Sequence, residues 1–421
     1  NENNLLKTIY YSKFAVIKDF WQNKSEYKII NKSYMGIKNL ITLLSFLFVL
    51  FSCEKEEFEP EINQRTTFMY FPWSEDLIDY FYNNISDMEY AIKETSLKNE
   101  RVIVFLSTSS IKAQMFEIIL KNGNCIHSIL KEYENPQFTI EPVLTDILND
   151  MKTFAPAKSY SMIIGCHGMG WLPVNGSKSR MLQDFRHHWE YKNVPQTRFF
   201  GGLSAEYQTD IKTLSNSIKN SGLSMEYILF DDCYMSSLET AYELRHITDY
   251  IIACPTEIMA FGMPYSTMGK HLLSREPNYK AACDAFHQFY STYQYPYGTL
   301  AVTNCSELDN LAALMKRINQ QYIFDNTQEG FVQPMDGYSP VIFYDYGDYV
   351  KVLCKNDSTL LLQFSETLNK VVPYKTHTEK YYSASRGAVP INSYSGITTS
   401  EPSHNVKAND YNQTLWYQDT H

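Results

Sequence analysis

Two largely apolar segments of this chain each end in a residue that can take part in covalent chemistry. Residues 227–233 run from an apolar stretch through two aspartates to Cys233, and residues 162–167 end in His167. A thiol is a poor nucleophile until it loses its proton, and a nearby imidazole can accept that proton and later protonate a leaving amine. The pair therefore predicts a cysteine hydrolase.

Each of these residues alone has an ordinary structural explanation. A single cysteine such as Cys233 is more often a buried thiol, and His167 alone would be a satisfied histidine at a strand end. Their occurrence together, at equivalent strand ends, favours the catalytic interpretation. Because glycine allows a close backbone approach, the N–H groups of Gly168 and Cys233 are predicted to stabilise the oxyanion of a tetrahedral intermediate.

A helix is predicted to start directly after the cysteine. Residues 236–239, Ser-Ser-Leu-Glu, match a capping box, in which a serine and a glutamate satisfy backbone N–H groups of the first turn. The N-terminal end of a helix carries partial positive charge, which would favour the Cys233 thiolate.

The elements that must position these residues alternate between strands and helices. Strand-like runs occur at 67–71, 102–106, 125–130, 162–166, 227–230, 250–254 and 299–303, and a Ser-Thr loop follows the second of them. Helical spacing occurs at 76–93, 141–153, 209–219, 308–322 and 352–372, and 393–421 is predicted to be loop and short strand. This pattern predicts an α/β fold with a mostly parallel sheet covered on both faces. Ligands bind beyond the carboxyl ends of such strands, where both candidate residues are expected.

The residues around the histidine and the cysteine resemble the clostripain family of cysteine peptidases. In that family the nucleophile lies in the motif Asp-x-Cys-x-Met-Ser, which residues 231–236 match. Further matches are Tyr-Glu-Leu-Arg at 242–245, Gly-Met-Pro-Tyr at 262–265 and the strand at 68–70, which is followed by Asp76-Leu77. The resemblance implies a caspase-like three-layer α/β/α sandwich and a Cys–His dyad that needs no third residue. It implies a peptidase domain at 66–305 and an α+β C-terminal region at 306–421 packed on it.

The resemblance also implies a substrate preference and self-activation. An aspartate two residues before the nucleophile lines the S1 pocket of the family and favours arginine or lysine at P1; Asp231 has this position, although a strand-ending carboxylate is the alternative. Phe261 replaces the second acidic residue that members with basic specificity carry. Some members cut themselves between the histidine and the cysteine, and Lys178 and Arg180 are the predicted sites, unless their loop is an ordinary exposed one.

The N-terminal part predicts a lipid anchor. Residues 1–34 are interpreted as an upstream extension absent from the mature protein, and 35–52 as a lipoprotein signal peptide; a buried core helix is the alternative. Leu-Phe-Ser-Cys at 50–53 resembles a lipobox, so Cys53 is the predicted lipidation site and 53–65 a charged tether. We expect a membrane-anchored lipoprotein on the periplasmic side or outer surface of a Gram-negative bacterium, resembling those of the Bacteroidetes.

The net charge and the spacing of cysteines and histidines argue against some classes of partner and cofactor. A net charge of -10 argues against nucleic acid or an anionic lipid surface as the main partner. The peptidase interpretation predicts protein or peptide substrates. No CxxC or zinc spacing occurs among the 8 cysteines, and His187-His188 lacks companion ligands, so no metal site is predicted. No cofactor is expected to be required. Calcium stays an open alternative, although no Asp-x-Asp-x-Asp-Gly loop occurs.

The sequence leaves three functions to compare. A cysteine endopeptidase that works through a thioester acyl-enzyme is favoured by the intact Cys233, His167 and Asp231. A catalytically silent binding lipoprotein with a caspase-like fold would suit Phe261 and the crowded loop at 171–200. Thiol-dependent acyl transfer, such as transpeptidation, is the third.

Overall fold

A large, mostly parallel sheet forms the centre of the protein. The computed structural model describes residues 62–174, 201–202, 204–355 and 357–421, and Ile62–His421 form one compact unit. Within the described residues the sheet has nine strands: β1 (Asn63–Phe71), β2 (Glu100–Ser109), β3 (Lys112–Lys121), β4 (Asn124–Glu134), β5 (Ala157–Gly165), β6 (Met225–Asp231), β7 (Thr248–Ala253), β8 (Thr299–Asn304) and β10 (Tyr374–His377). The remaining strands are β9 (Tyr344–Asp345), β11 (Lys380–Ser383), β12 (Gly387–Pro390) and β13 (Thr398–Thr399), which form two small antiparallel pairs.

The strand order in the large sheet is β10-β8-β7-β6-β5-β1-β2-β3-β4. The central strands β2, β1, β5, β6 and β7 run parallel to one another, and the strands outside them on both sides are antiparallel. The carboxyl ends of β1, β5 and β6 therefore lie side by side at one edge of the sheet. This arrangement confirms the predicted fold class.

Helices cover both faces of the sheet. They are α1 (Ile78–Thr95), α2 (Glu141–Phe154), α3 (Ile211–Asn220), α4 (Leu238–Leu244), α5 (Tyr265–Leu272), α6 (Tyr279–Thr292), α7 (Leu308–Asn319), α8 (Tyr346–Leu353), α9 (Ser358–Val371) and α10 (Leu415–Thr420). Side chains of α1, α5 and α6 join one buried apolar cluster, and those of the other helices join a second cluster. Alternate residues of β1 supply both, since Met69 belongs to the first cluster and Phe68 to the second.

The helix predicted directly after the cysteine begins later than expected. Helix α4 starts at Leu238, and its N-cap is Ser237, whose Oγ accepts a hydrogen bond from the Thr240 backbone N–H. Ser236 lies outside the helix because its N–H donates to the Cys254 carbonyl and its hydroxyl donates to the Gly396 carbonyl. The predicted capping box was therefore wrong by one residue at its serine.

The predicted helix at 352–372 is two helices, α8 and α9. The chain leaves α8 through Lys355, which has a positive φ of 56°, and Asp357 then caps α9 by accepting the N–H groups of Thr359 and Leu360. The positive φ breaks the helical path, and the aspartate starts a new one.

Several elements were missed or shortened by the sequence interpretation. The Ser-Thr residues after 102–106 continue strand β2 and lead through a tight connection into β3, which was not predicted. Helices α5 and α6 were also missed, and the last stretch contains α10 in addition to the expected loop. Within the described ranges no helix is both long and apolar enough to span a bilayer.

Candidate active site

The two candidate catalytic residues follow neighbouring parallel strands. Gly165 at the end of β5 pairs with Asp231 at the end of β6, and the Cys166 N–H donates to Asp232 Oδ1 at 2.6 Å one residue further on. His167 and Cys233 come next on their strands, and both are fully buried. The structure thus brings together two residues that lie 66 positions apart in the sequence.

Gly168 lies against the backbone of the cysteine. A methyl group at position 168 would collide with the Cys233 carbonyl oxygen, and it would stand 3.1 Å from the Cys233 backbone nitrogen. Only glycine permits this approach without a shift of the chain. The predicted oxyanion donors, the N–H groups of residues 168 and 233, therefore belong to two segments in direct backbone contact.

The sulfur of Cys233 faces a backbone amide. The Ile258 N–H donates to Sγ at 3.4 Å, and the Ile258 carbonyl oxygen lies 3.9 Å from the same sulfur. Helix α4 starts five residues after the cysteine, so the backbone donor that contacts the sulfur is the Ile258 amide and not the end of a helix.

A tight bend after the cysteine holds it in place. Tyr234 has a positive φ of 60°, which is uncommon for a residue with a side chain, and its N–H donates to the Thr256 carbonyl at 3.0 Å. The Tyr234 hydroxyl donates to Glu257 Oε1 at 2.7 Å. Such a strained conformation persists only where the surrounding contacts determine it, and Cys233 precedes it directly.

The imidazole of His167 contacts an aspartate that was not among the predicted site residues. Its Nε2 lies 2.9 Å from Asp76 Oδ1, and the His167 backbone N–H donates to the Gly201 carbonyl at 3.1 Å. Asp76 lies in a short 3₁₀ helix, Glu75–Leu77, that follows β1. The sequence held a signal for it, because β1 is another strand-like run and carboxylates after parallel strands meet at one edge.

Asp231 is fully buried beneath this site. Its Oδ1 accepts the Met263 N–H at 2.9 Å, and its Oδ2 accepts the Tyr265 hydroxyl at 3.0 Å. A buried carboxylate needs such donors, because desolvation of an unpaired charge is costly. These bonds fix the carboxylate two residues before Cys233.

Phe261 lies between the segments that contact the sulfur and the aspartate. Its ring stacks on Phe289 with centroids 4.7 Å apart and meets Tyr293 at 5.7 Å, both from the end of α6 and the residue after it. Its carbonyl oxygen accepts a bond from the Asn84 side chain at 3.1 Å. Phe261 is half-buried, and its ring belongs to an aromatic cluster with Phe289 and Tyr293.

The C-terminal region donates and accepts hydrogen bonds with the segments around the site. The Ala384 N–H donates to both oxygens of Glu257 at 3.1 Å, and the Thr398 N–H donates to the Ser236 carbonyl at 3.0 Å. On the other side, Trp171 Nε1 donates to the Ser400 hydroxyl at 2.9 Å. Residues far apart in the sequence thus brace the segments that follow His167 and Cys233.

Glu239 of α4 belongs to the same bracing contacts. It is buried, and its Oε1 accepts the Ser400 N–H at 2.9 Å and the Thr399 hydroxyl at 2.8 Å. Burial raises the pKa of Glu239 to about 7, and these hydrogen bonds oppose part of that rise. The predicted capping role of this glutamate is therefore replaced by a contact to the C-terminal region.

Several predicted residues lie outside the described residues, namely Lys178, Arg180 and Cys53, as does the pair His187-His188. In the described ranges no cysteine forms a disulfide. In those same ranges, no group of three or more His, Cys, Asp or Glu side chains is placed to hold a metal ion.

Comparison with known proteins agrees with this arrangement. A family model described as the clostripain family, Peptidase C11, matches residues 69–418. A secreted C11 cysteine protease from Bacteroides thetaiotaomicron, "iotapain", is 52% identical with a TM-score of 0.80, covering 86% of this chain and 100% of that one. No curated protein matches the chain.

Two further solved structures are similar. A clostripain from Bacteroides thetaiotaomicron in complex with the peptide inhibitor BTN-VLTK-AOMK is 56% identical over 53% of this chain and 99% of that one, with a TM-score of 0.52. An inactive zymogen C11 protease from Parabacteroides distasonis is 26% identical over 86% of this chain and 99% of that one, with a TM-score of 0.71.

Proposed function

Because this chain belongs to the clostripain family of cysteine peptidases, we propose that Cys233 is its nucleophile and His167 its general base and acid. The observation that carries this proposal is the direct backbone contact between Gly168 and Cys233 at the ends of adjacent parallel strands. This contact supports the proposal because it brings the segment of His167 and Gly168 against the segment of Cys233.

The proposed reaction begins with the thiolate of Cys233, whose proton has passed to His167. The sulfur attacks the peptide carbonyl carbon, and the carbonyl oxygen becomes an oxyanion that accepts the N–H groups of Gly168 and Cys233. The imidazolium then protonates the leaving amine as the C–N bond breaks, which leaves a thioester. His167 next takes a proton from water, the hydroxide attacks the thioester carbon, and the thiol returns as the acid leaves. The scheme uses protein groups alone and requires no metal.

The P1 preference is proposed to be basic, with Asp231 as the charged group of the S1 pocket. The peptide part of the inhibitor bound to the Bacteroides clostripain is written VLTK and ends in lysine. The lysine of a substrate would pair with the buried carboxylate of Asp231, and the partly exposed ring of Phe261 would contact its alkyl stem. Because Phe261 replaces the second acidic residue, the proposed pocket carries less negative charge than that of members with strict basic specificity.

We propose that the peptidase activates itself by a cut after Lys178 or Arg180. The support is the basic P1 preference itself, together with the existence of a zymogen form in a related C11 protease. A Cys233→Ala protein should then stay uncut at these positions while wild type is cut. Clipping of the alanine protein in the absence of any other peptidase would exclude self-cleavage.

The natural substrates are proposed to be proteins or peptides outside the cytoplasm, reached by an enzyme anchored through a lipid on Cys53. The related "iotapain" is described as secreted, which supports an exported enzyme. Mass spectrometry of protein expressed in a Gram-negative host should find a diacylglyceryl mass on wild type. Replacement of Cys53 by serine should remove it and release the protein from membranes.

The central test is a cleavage assay on a peptide library with wild type and Cys233→Ala protein. We expect cuts after lysine and arginine from wild type alone, with the same rate in the presence of a chelator. Equal cleavage by the alanine protein would reject the proposed nucleophile. A folded wild type that neither cuts peptides nor reacts with a peptide electrophile would favour a silent binding protein. Product analysis with an added amine separates hydrolysis from transpeptidation.

A further inference from the structure

We propose that Asp76 is a positioning residue for the reaction, which orients the His167 imidazole and fixes its tautomer; this inference rests on the dyad proposed above. Asp76 Oδ1 lies 2.9 Å from His167 Nε2, within hydrogen-bond distance. A carboxylate only accepts, so Nε2 carries the proton of the neutral ring. Nδ1 is then the nitrogen that takes the proton from the Cys233 thiol.

The fold holds the carboxylate at this place. Strands β1 and β5 are parallel, with Tyr70 paired to Ile164, so the segments that follow them emerge side by side. After β1, the Leu77 N–H donates to the Ser74 carbonyl, and the Leu77 side chain is completely buried. The short 3₁₀ turn is thereby anchored, and Asp76 projects from it toward the histidine segment.

The burial of the two partners differs, and this separates the proposal from an ordinary surface ion pair. The His167 side chain is 0% exposed, whereas the Asp76 side chain is 33% exposed. An exposed pair is worth little, because water competes for both charges. Here the imidazole is withdrawn from water, so the bond to the carboxylate decides its orientation and stabilises the imidazolium that forms when the thiol ionises.

With Asp76 in this role, the site has a third group in addition to the Cys233–His167 dyad. In a triad, an orienting carboxylate fixes the tautomer and stabilises the imidazolium without itself taking the proton. Asp76 has the geometry for both roles, although it reaches the ring from a separate strand end. It does not contact the substrate in the proposed scheme, so its effect should appear in the chemical step.

The test compares Asp76→Ala, Asp76→Asn and Asp76→Glu with wild type, with kcat and KM measured separately on one lysine peptide. Loss of a charge-assisted hydrogen bond to a reacting group should lower kcat about 10- to 100-fold in the alanine variant, with KM within about twofold. Asparagine should be intermediate, because it can accept the bond but carries no charge. Glutamate should recover part of the rate.

Asp79→Asn serves as the matched control, since Asp79 is an exposed carboxylate in the first turn of the adjoining helix α1. Its kcat should stay within about twofold of wild type. Labelling with a peptide electrophile counts intact sites in every variant, and thermal melting checks the fold. If Cys233→Ala is inactive and Asp76→Ala keeps the wild-type kcat, the Asp76 proposal alone is wrong.

A loss of labelled sites that matches the loss of rate in Asp76→Ala, without recovery by glutamate, would also overturn the proposal, because it would show a structural role. Failure of wild type to cleave or to be labelled would instead overturn the dyad on which the proposal rests. The two failures are thus distinguishable within one set of proteins.

Discussion

Gly168 and Cys233 touch through their backbones, so the residue after the proposed general base and the proposed nucleophile form one rigid contact. A methyl group at position 168 would collide with the Cys233 carbonyl oxygen and would lie 2.8 Å from the Asp232 Cβ. These neighbours are backbone and a short, buried side chain, which cannot move aside as a flexible side chain could. The contact therefore sets the relative position of the two N–H groups that are proposed as oxyanion donors.

Replacement of Gly168 by alanine should inactivate the enzyme. The added methyl group must push the two segments apart, and a misplacement of about 1 Å can lower the rate about 10²-fold. We expect a fall of at least about 10²-fold in kcat/KM and a loss of stability of about 1–3 kcal/mol. Gly330→Ala is the control, because nothing lies within 4 Å of a Cβ at that exposed position. An active Gly168→Ala enzyme would refute the proposed oxyanion geometry.

Replacement of Asp231 by asparagine should change the P1 preference and leave the fold intact. The amide oxygen can still accept the Met263 N–H, and the amide NH₂ can donate to a rotated Tyr265 hydroxyl, so only the charge is lost. Removal of one partner of a buried ion pair is worth about 3 kcal/mol, so kcat/KM for lysine peptides should fall about 10²-fold. Norleucine peptides should be cut at nearly the wild-type rate.

Tyr265→Phe is the control for Asp231→Asn, since it removes a hydrogen bond from the carboxylate but keeps its charge. It should retain the preference for lysine over norleucine. An equal loss on both peptides in Asp231→Asn would mean that the aspartate is structural and does not contact the P1 side chain.

The sequence predicted the parts of the fold that depend on short-range patterns. Continuous apolar runs located β5 and β6, because strands buried on both faces need apolar side chains at every position. Strand order then placed His167 and Cys233 at one edge, which the parallel pairing of β5 and β6 confirms. The roles of these two residues remain a prediction.

The parts that sequence analysis missed depend on contacts between distant residues. Asp76 and His167 are 91 positions apart; both follow strand-like runs, but those runs do not tell which side chains meet at the shared edge of the sheet. The hydroxyl of Ser236 was expected to cap a helix, yet Gly396, 160 positions away, accepts its hydrogen bond. Because local propensity is weak, such tertiary contacts decide where a helix begins.

Replacement of Arg65 by lysine should destabilise the protein without a change in its chemistry. The buried guanidinium of Arg65 donates to the carbonyls of Leu272, Ser274 and Arg275 and to Glu226 at 2.6–3.4 Å. A single ammonium cannot serve all of these acceptors, which leaves buried carbonyls unsatisfied at about 1–3 kcal/mol. Urea unfolding should show this loss.

Arg386→Lys is the control for Arg65→Lys. Arg386 is exposed and donates a hydrogen bond to the Tyr338 carbonyl, so its replacement should change the free energy of unfolding by less than about 0.5 kcal/mol. If the two variants lose the same stability, the buried network around residue 65 does not contribute as argued.

The carboxyl of Glu239 should make the protein less stable as the pH rises. Burial raises its pKa from 4.5 to about 7, so the folded protein holds a proton here that the unfolded chain has released. The favourable contribution is therefore complete below pH 4.5 and is lost as the pH rises through about 7. A change of this size in the pKa corresponds to about 3 kcal/mol of stability.

Glu239→Gln should remove this part of the pH dependence. The glutamine oxygen can accept the Ser400 N–H and the Thr399 hydroxyl as Oε1 does, and Oε2, which has no hydrogen-bond partner among the described residues, becomes an uncharged NH₂. At pH 8 the variant should be more stable than wild type by up to about 3 kcal/mol, and at pH 4.5 the two should be nearly equal. Urea unfolding across this range measures the difference, with the exposed Glu366→Gln as a control that follows wild type. A Glu239→Gln protein whose stability falls with pH as steeply as wild type would show that another group binds the proton.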